Sequence, residues 1–339
     1  MAGGKAKISS KSKSHPTKGK GFGNFIYDSE EGTCFGRTAA SWIKIIIFYI
    51  IFYSCLAGFF CLNYYIFSKT LNEDSPKWKL DQSIIGTNPG VGFRPMPDQD
   101  ANAESTLIWY QEGVESDAKF WWNQLSVMLK HNILPEGTPG TKICNDQGET
   151  ATDSAACLVQ YSDRSYCTET NKYGYQPSGK PCVLIKLNKI FGWTPQPFGV
   201  NNDDKFDPVL LQNDLEDKVK NDEMPGTLRD HIWKEVNKSS NAVNTLKTVW
   251  LSCSGESVGD KENLPEGHIT YEPERKIPGY YFPYKNQKNY RSPFVMVNFD
   301  IPKTSRHLLI NIECRAWAKN IKYDRVFRLG SVHFELMVD

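Results

Sequence analysis

The chain has 339 residues, 40% of them apolar, with 40 Lys and Arg against 39 Asp and Glu and nine cysteines. A net charge of +1 gives no footing for a nucleic-acid partner, and the length suffices for one large domain or two small ones. The near-neutral total conceals a division: residues 1–44 hold eight basic and three acidic side chains and are +5, which leaves 69–339 at −4.

Residues 1–44 are rich in Gly, Ser and Lys without apolar periodicity, which predicts a largely disordered tail. The stretch 45–68, IIIFYIIFYSCLAGFFCLNYYIFS, carries no charge between Lys44 and Lys69. As a helix it reaches about 36 Å, enough to cross a hydrocarbon core of about 30 Å with some tilt. The basic excess before it, against three basic and three acidic residues in 69–88, predicts a cytoplasmic N-terminus. The run is longer and starts later than a cleaved signal peptide, so it reads as the uncleaved anchor of a type II membrane protein with 69–339 outside. The basic tail then serves as a topology signal and is attracted to anionic inner-leaflet lipid. Within the span Tyr49, Tyr53, Ala57, Cys61 and Tyr65 recur every four residues, and Ser54 and Gly58 form a small-xxx-small step. Interfacial anchoring suits Tyr64 and Tyr65 but not Tyr53 at mid-depth, so the stripe predicts a helix partner.

The span also sorts the cysteines. Cys34 is cytoplasmic, Cys55 and Cys61 lie in the membrane, and Cys144, Cys157, Cys167, Cys182, Cys253 and Cys314 lie in the oxidising compartment. Six allow fifteen pairings; loop-closure cost favours Cys144–Cys157 and Cys167–Cys182, with Cys253–Cys314 by remainder. No CxxC and no His at ligand spacing supports a metal site.

After the span, 69–105 reads as a Pro- and Gly-rich extracellular stalk, and 106–339 as the disulfide-bonded domain. TLIWY at 106–110 predicts a short strand. Residues 116–131 predict a helix with Ala118, Trp121, Trp122, Leu125, Met128 and Leu129 on one face, capped by Ser116 or Asp117. The turn-rich segment 137–182 holds four cysteines, and 182–190 predicts a strand. Residues 192–227 read as a polar surface excursion, and 227–236 as a short helix capped by Thr227. Strands are predicted at 248–253, 293–300, 307–318 and 332–338. Apolar parity runs through Val249, Leu251 and Cys253, and through Leu308, Ile310, Ile312, Cys314 and Ala316. Two inward cysteines on alternating strands suit the inter-sheet bridge of an immunoglobulin-like sandwich.

Three motif matches bear on catalysis or metal binding. Gly255, Ser257 and Gly259 fit G-x-S-x-G, but 260–267 shows no helical stripe after the strand, so a loop is expected rather than a nucleophile elbow. Asp98 and Asp100 fit the D-x-D of metal-dependent glycosyltransferases, yet no alternating βα pattern follows. The acidic run 201–207 lacks the Gly and terminal Glu of a calcium loop and reads as solvated. Asn237 begins the one extracellular N-x-S sequon, a glycosylation site. GYYFPYK at 279–285 crowds four aromatics around a proline, either as a core plug or as a contact patch.

The run FGRTAASWIK at 35–44, FYIIFYSCLAG at 48–58, the six spaced cysteines, PCVLIKLN at 181–188, VWLSCSGE at 249–256, GYYFPY at 279–284 and IECRAWAKNI at 312–321 together resemble the beta subunit of the sodium/potassium-transporting ATPase, with an invertebrate style around GYYFPY. The resemblance covers residues from about 22 to 339. It implies a non-catalytic, plasma-membrane subunit without cofactor. Such a subunit stabilises a P-type catalytic alpha subunit, escorts it from the endoplasmic reticulum and modulates its affinity for extracellular potassium. It implies an immunoglobulin-like β-sandwich with an added helix and long loops, and disulfides between successive cysteines. Tyr49 and Tyr53, beside the Gly58 step, would pack on alpha-subunit helices; Tyr280, Tyr281, Tyr284 and Lys285 would meet its extracellular loop. A small single-span regulatory subunit and membrane lipid are further implied partners. The segment 195–247 departs by its length from vertebrate members. Two readings from other classes compete with the pump subunit: a cell-surface adhesion receptor with an immunoglobulin-like ectodomain, and a type II glycosyltransferase.

Overall fold

The computed structural model describes residues 26–28, 32–98, 105–162, 164–176 and 179–339. The chain divides into two compact units, Met1–Asn72 and Glu73–Asp339. Most of the expected disordered tail lies outside the described residues.

In the first unit, β1 (Tyr27–Asp28), β2 (Thr33–Cys34) and β3 (Arg37–Thr38) form an antiparallel three-stranded ribbon. Helix α1 (Ala39–Lys69) follows directly. The tail reading is thus corrected at its end: residues 32–44 are structured. Trp42 Nε1 donates to the Cys34 carbonyl at 2.8 Å, tying the ribbon to the first helical turn. The helix begins at Ala39 rather than at 45 because the Thr38 hydroxyl accepts the Ser41 N–H and satisfies an open end group. None of its 31 residues is buried, and large apolar side chains point out on every side, from Ile46 and Phe48 to Phe59, Phe60 and Leu62. A helix that is apolar all round must be covered by lipid or protein. Its polar residues near the far end fold back on the backbone: Asn63 Nδ2 donates to the Phe59 carbonyl at 2.8 Å and Ser68 Oγ to that of Tyr65 at 2.9 Å. Self-satisfaction of this kind lets polar side chains sit in hydrocarbon.

The second unit contains β4 (Val91–Arg94), β5 (Leu107–Tyr110), α2 (Glu115–Asn132), β6 (Thr141–Lys142), β7 (Ala156–Cys157), β8 (Cys182–Leu187), α3 (Pro208–Asn221), α4 (Gly226–Lys238), α5 (Ala242–Leu246), β9 (Thr248–Gly255), α6 (Val258–Asn263), β10 (Ile269–Glu272), β11 (Lys276–Pro278), β12 (Phe294–Phe299), β13 (Ile310–Trp317) and β14 (Ser331–Val338). One sheet has the order β10-β12-β8-β4 and is antiparallel throughout; the other has the order β11-β9-β13-β14-β5, with only β14 and β5 parallel. The sheets pack face to face. Phe334 of β14 stacks on Phe93 of β4 at 5.0 Å and meets Phe299 of β12 edge-on at 5.7 Å. The domain is the expected β-sandwich with an added helix. That helix, α2, reaches both edge regions: Gln124 exchanges two hydrogen bonds with the Met96 backbone beyond β4, and Trp121 Nε1 donates to the Trp109 carbonyl in β5. Covering edges in this way blocks strand addition by other chains.

Val249, Leu251 and Cys253 of β9, with Ile310, Ile312 and Cys314 of β13, face the sandwich interior. The opposite face carries Trp250 and Trp317, direct cross-strand partners. They form a second core with Leu211, Leu215, Leu228, Ile232, Val236 and Leu246 from α3 to α5. These central strands are therefore buried on both faces.

Several expectations are corrected. Val91 and Phe93, placed in the stalk, belong to a sheet strand and are buried, so sandwich structure begins before 106. The excursion 192–227 contains a 14-residue helix: Asp207 accepts from the Val209 and Leu210 N–H groups, Pro208 occupies the first turn, and Leu211 and Leu215 bury one face. Helix α2 starts without a side-chain cap, on Val114, and α4 likewise on Pro225 rather than Thr227. Leu308 precedes β13 and is exposed. The three disulfides pair as expected, with Cα separations of 5.5 Å for Cys144–Cys157, 5.9 Å for Cys167–Cys182 and 4.0 Å for Cys253–Cys314. The last is not an inter-sheet bridge, because Cys253 and Cys314 are opposed residues on neighbouring strands of one sheet.

Candidate partner-contact surfaces

The first surface is on α1. Tyr49 and Tyr53, four residues apart, stack their rings at 5.8 Å. With Trp42, Ile45, Ile46, Ile50 and Ser54 they line a shallow groove along the helix. Gly58 continues this path one turn beyond Ser54, and a side chain built there would meet nothing within 4 Å. Among the described residues neither the Tyr49 nor the Tyr53 hydroxyl has a hydrogen-bond partner, unlike Asn63 and Ser68. A hydroxyl left unpaired in hydrocarbon is costly.

The second surface surrounds the Tyr/Pro segment. It opens on Gly279 because a Cβ there would lie 1.7 Å from the Lys247 carbonyl oxygen. Tyr281 points inward at 5% exposure; its hydroxyl donates to the Leu158 carbonyl at 3.3 Å and accepts the Gln160 N–H at 3.4 Å. That corrects its expected contact role: Tyr281 fills the core. Phe282 packs edge-on against Trp193 at 5.3 Å. Tyr280, Phe282 and Pro283 also line a cleft of about 400 Å³ with Pro195, Pro197 and Lys247. Tyr284 lies against Tyr290 at 4.8 Å, with Lys189 Nζ over both rings at 5.2 and 5.1 Å. Burial, reinforced by Arg291, lowers the Lys189 pKa. Lys285 is exposed and pairs with Asp153 at 2.7 Å. Burial raises the pKa of Tyr280 and Tyr281, so both hydroxyls stay neutral in any contact. The segment is thus plug and wall at once.

Asn237 is exposed on the last turn of α4. The hydroxyl of Ser239, the third residue of its sequon, accepts from Thr245 Oγ1 at 2.6 Å and from the Asn241 N–H at 3.1 Å.

The chemical motifs resolve differently. A helix does follow the G-x-S-x-G strand, contrary to the loop expected: α6 is capped by a box in which the Ser257 hydroxyl accepts the Asp260 N–H and the Asp260 carboxylate accepts the Ser257 N–H. The Ser257 hydroxyl also donates to that carboxylate, and no histidine joins it among the described residues. Gly255 is required by packing, since a Cβ would approach the Asp260 backbone to 2.4 Å. Of the D-x-D motif, Gln99 and Asp100 lie outside the described residues, and neither sandwich sheet has the βα layout that sugar-nucleotide binding needs. In the 201–207 run, Asp207 is spent on capping α3. No cluster of three His, Cys, Asp or Glu able to hold a metal is present among the described residues.

Among the described residues one apolar helix is long enough to cross a membrane, and a disulfide-bonded β-sandwich follows it, which fits a single-pass membrane protein. The family model described as sodium/potassium ATPase beta chain matches residues 12–334. Sodium/potassium-transporting ATPase subunit beta-2 of Drosophila melanogaster is 43% identical over 325 residues, covering 95% of this chain and 93% of that relative. Subunit beta-1 of the same organism is 36% identical over 96% of this chain and 94% of its own length, and the probable subunit beta-3 of Caenorhabditis briggsae 33% identical over 94% and 86%. The chain belongs to the sodium/potassium ATPase beta chain family. A beta chain is a non-catalytic subunit of its transporter.

Two features leave little trace in the sequence. One is the ribbon that docks on Trp42. The other is the exposed Val326 and Phe327 in the loop before β14, whose only sequence signal is an apolar pair between two arginines.

Proposed function

We propose that this chain assembles with the catalytic alpha subunit of a P-type sodium/potassium ATPase, stabilises it, escorts it to the plasma membrane and modulates its affinity for extracellular potassium. The N-terminus is cytoplasmic and the sandwich extracellular, in keeping with the +5 tail. Asn237 carries a glycan. The carrying observation is the Tyr49–Tyr53 face, two stacked rings whose hydroxyls have no hydrogen bond within the described chain. In the membrane such a face is satisfied by a neighbouring helix of the alpha subunit, with Gly58 allowing close approach. Outside, the half-buried Tyr280 and Tyr284 and the exposed Lys285 form the outer side of the contact, and Tyr281 supports it from the core. A small single-span regulatory subunit and lipid cover other faces of the span.

A bound subunit shifts a transport equilibrium only by binding one state of its partner better than another. Tyr49→Ala combined with Tyr53→Ala is expected to alter potassium activation of the co-expressed ATPase more than it alters assembly. An unchanged potassium activation curve at normal assembly contradicts this role for the face.

A further inference from the structure

We propose that one end of the ectodomain is an apolar foot that rests in the phosphate-headgroup layer of the membrane its own chain spans. The foot is built from two loops. The first tip carries Val326 and Phe327, 85% and 75% exposed. It is not a slack loop: Asp324 and Leu329 exchange both backbone hydrogen bonds, at 3.2 and 2.9 Å, and the Asp324 carboxylate accepts the N–H groups of Val326 and Phe327 at 2.8 and 3.0 Å. Four hydrogen bonds therefore hold two apolar side chains out toward water.

The second tip carries Ile84 and Ile85, 106% and 72% exposed. The two loops are stitched together by a reciprocal pair: Asn88 Nδ2 donates to the Lys322 carbonyl at 2.9 Å, and the Lys322 N–H donates to Asn88 Oδ1 at 2.8 Å. Ile84 and Ile85 lie within four residues of Asn88, and Val326 and Phe327 within five of Lys322, so neither tip is farther from the stitch than about 18 Å. They share one end of the domain.

Basic side chains flank the first tip. Arg325 and Arg328 bracket Val326 and Phe327, and Glu256 draws both guanidinium groups, at 3.4 and 3.2 Å, while they keep 65% and 42% of their surface. An apolar tip bracketed by cations is the makeup of surfaces that lie in a lipid interface, where the apolar part enters the acyl boundary and the cations meet phosphates. Connectivity selects lipid as the occupant. Fourteen residues lie between Lys69, the last residue of α1, and Ile84, so the foot is tethered within about 50 Å of the bilayer even by a fully extended chain. The proposal rests on α1 being the membrane span.

The test uses the full chain with Cys34, Cys55 and Cys61 changed to Ser, the disulfides kept, and Val326→Cys labelled with bimane, in phosphatidylcholine vesicles. Val209→Cys, at an exposed site on α3, is the control. Doxyl-labelled phosphatidylcholine is expected to quench the label at 326 several-fold more than at 209, and iodide to do the reverse. Ile84→Asp with Ile85→Asp should weaken the lipid quenching at 326. A label at 326 as open to iodide as the control overturns the foot. So does protection from both quenchers that arises only when the ATPase catalytic subunit is co-reconstituted, which would make the tip a protein contact. Flotation of the vesicles reports the span separately: a chain that floats with an iodide-accessible tip overturns the foot alone, and one that does not float overturns both.

Discussion

Cys253 and Cys314 face each other as opposed residues of adjacent antiparallel strands, 4.0 Å apart at Cα, with their disulfide on the sandwich-facing side of a single sheet. The bridge therefore staples β9 to β13 rather than one sheet to the other. It closes a loop of 61 residues, the longest of the three. Loop-entropy arguments give about 4 kcal/mol for its removal, against about 3 for each of the other two. Cys253→Ser with Cys314→Ser is expected to cause retention in the endoplasmic reticulum and to lower the melting temperature more than loss of the Cys144–Cys157 bridge. Surface delivery and melting equal to those of the unmodified chain would contradict a central staple.

The Tyr/Pro segment separates packing from contact within four residues. Tyr281→Ala empties a core site and is expected to cost about 3–5 kcal/mol, whereas Tyr281→Phe loses only two long hydrogen bonds, about 1 kcal/mol. Tyr284→Ala with Lys285→Ala, at a half-buried and an exposed position, should lower melting less than Tyr281→Ala does and reduce the fraction of chain recovered with the ATPase catalytic subunit. Equal effects of both kinds of variant on stability and on recovery would contradict this division.

The α6 cap gives a pH signature. Burial pushes the Asp260 pKa up, but hydrogen bonds from Ser257 and from the Asn311 N–H outweigh it and hold the carboxylate below its ordinary value of 3.8. A depressed folded pKa contributes stability above the unfolded value and loses it as pH falls through the folded one. Asp260→Asn is therefore expected to cost about 1–2 kcal/mol at neutral pH, with the gap narrowing as pH drops below about 4. Thermal melts of the two chains across that range check this; a gap independent of pH contradicts it.

What the sequence made legible, and what it hid, follows from the kind of signal each element leaves. The alternation of Val249, Leu251 and Cys253 against Ile310, Ile312 and Cys314 marked the inward faces correctly. Parity names a face, not a sheet, so it could not tell an inter-sheet bridge from one between neighbours. Helix α3 was hidden because Pro208 reads as a breaker among acidic residues, although Asp207 and Pro208 are a helix start and Leu211 and Leu215 its buried face. Val91 and Phe93 alternate for too few residues among prolines to stand out as a strand. At six residues, α6 is too short for an apolar stripe, and only its Ser257–Asp260 box betrays it. On the candidate surfaces, the Tyr49 and Tyr53 spacing was readable from helical period alone. The inward turn of Tyr281 was not, because it depends on carbonyl and amide groups more than a hundred residues away.

Assembly with a transporter can be read by purifying the full chain from native membranes in mild detergent. A stoichiometric complex with a multi-span P-type ATPase catalytic subunit is expected, weakened by changes at Tyr284 and Lys285. Recovery of the chain alone, or with an unrelated partner in its place, would contradict it.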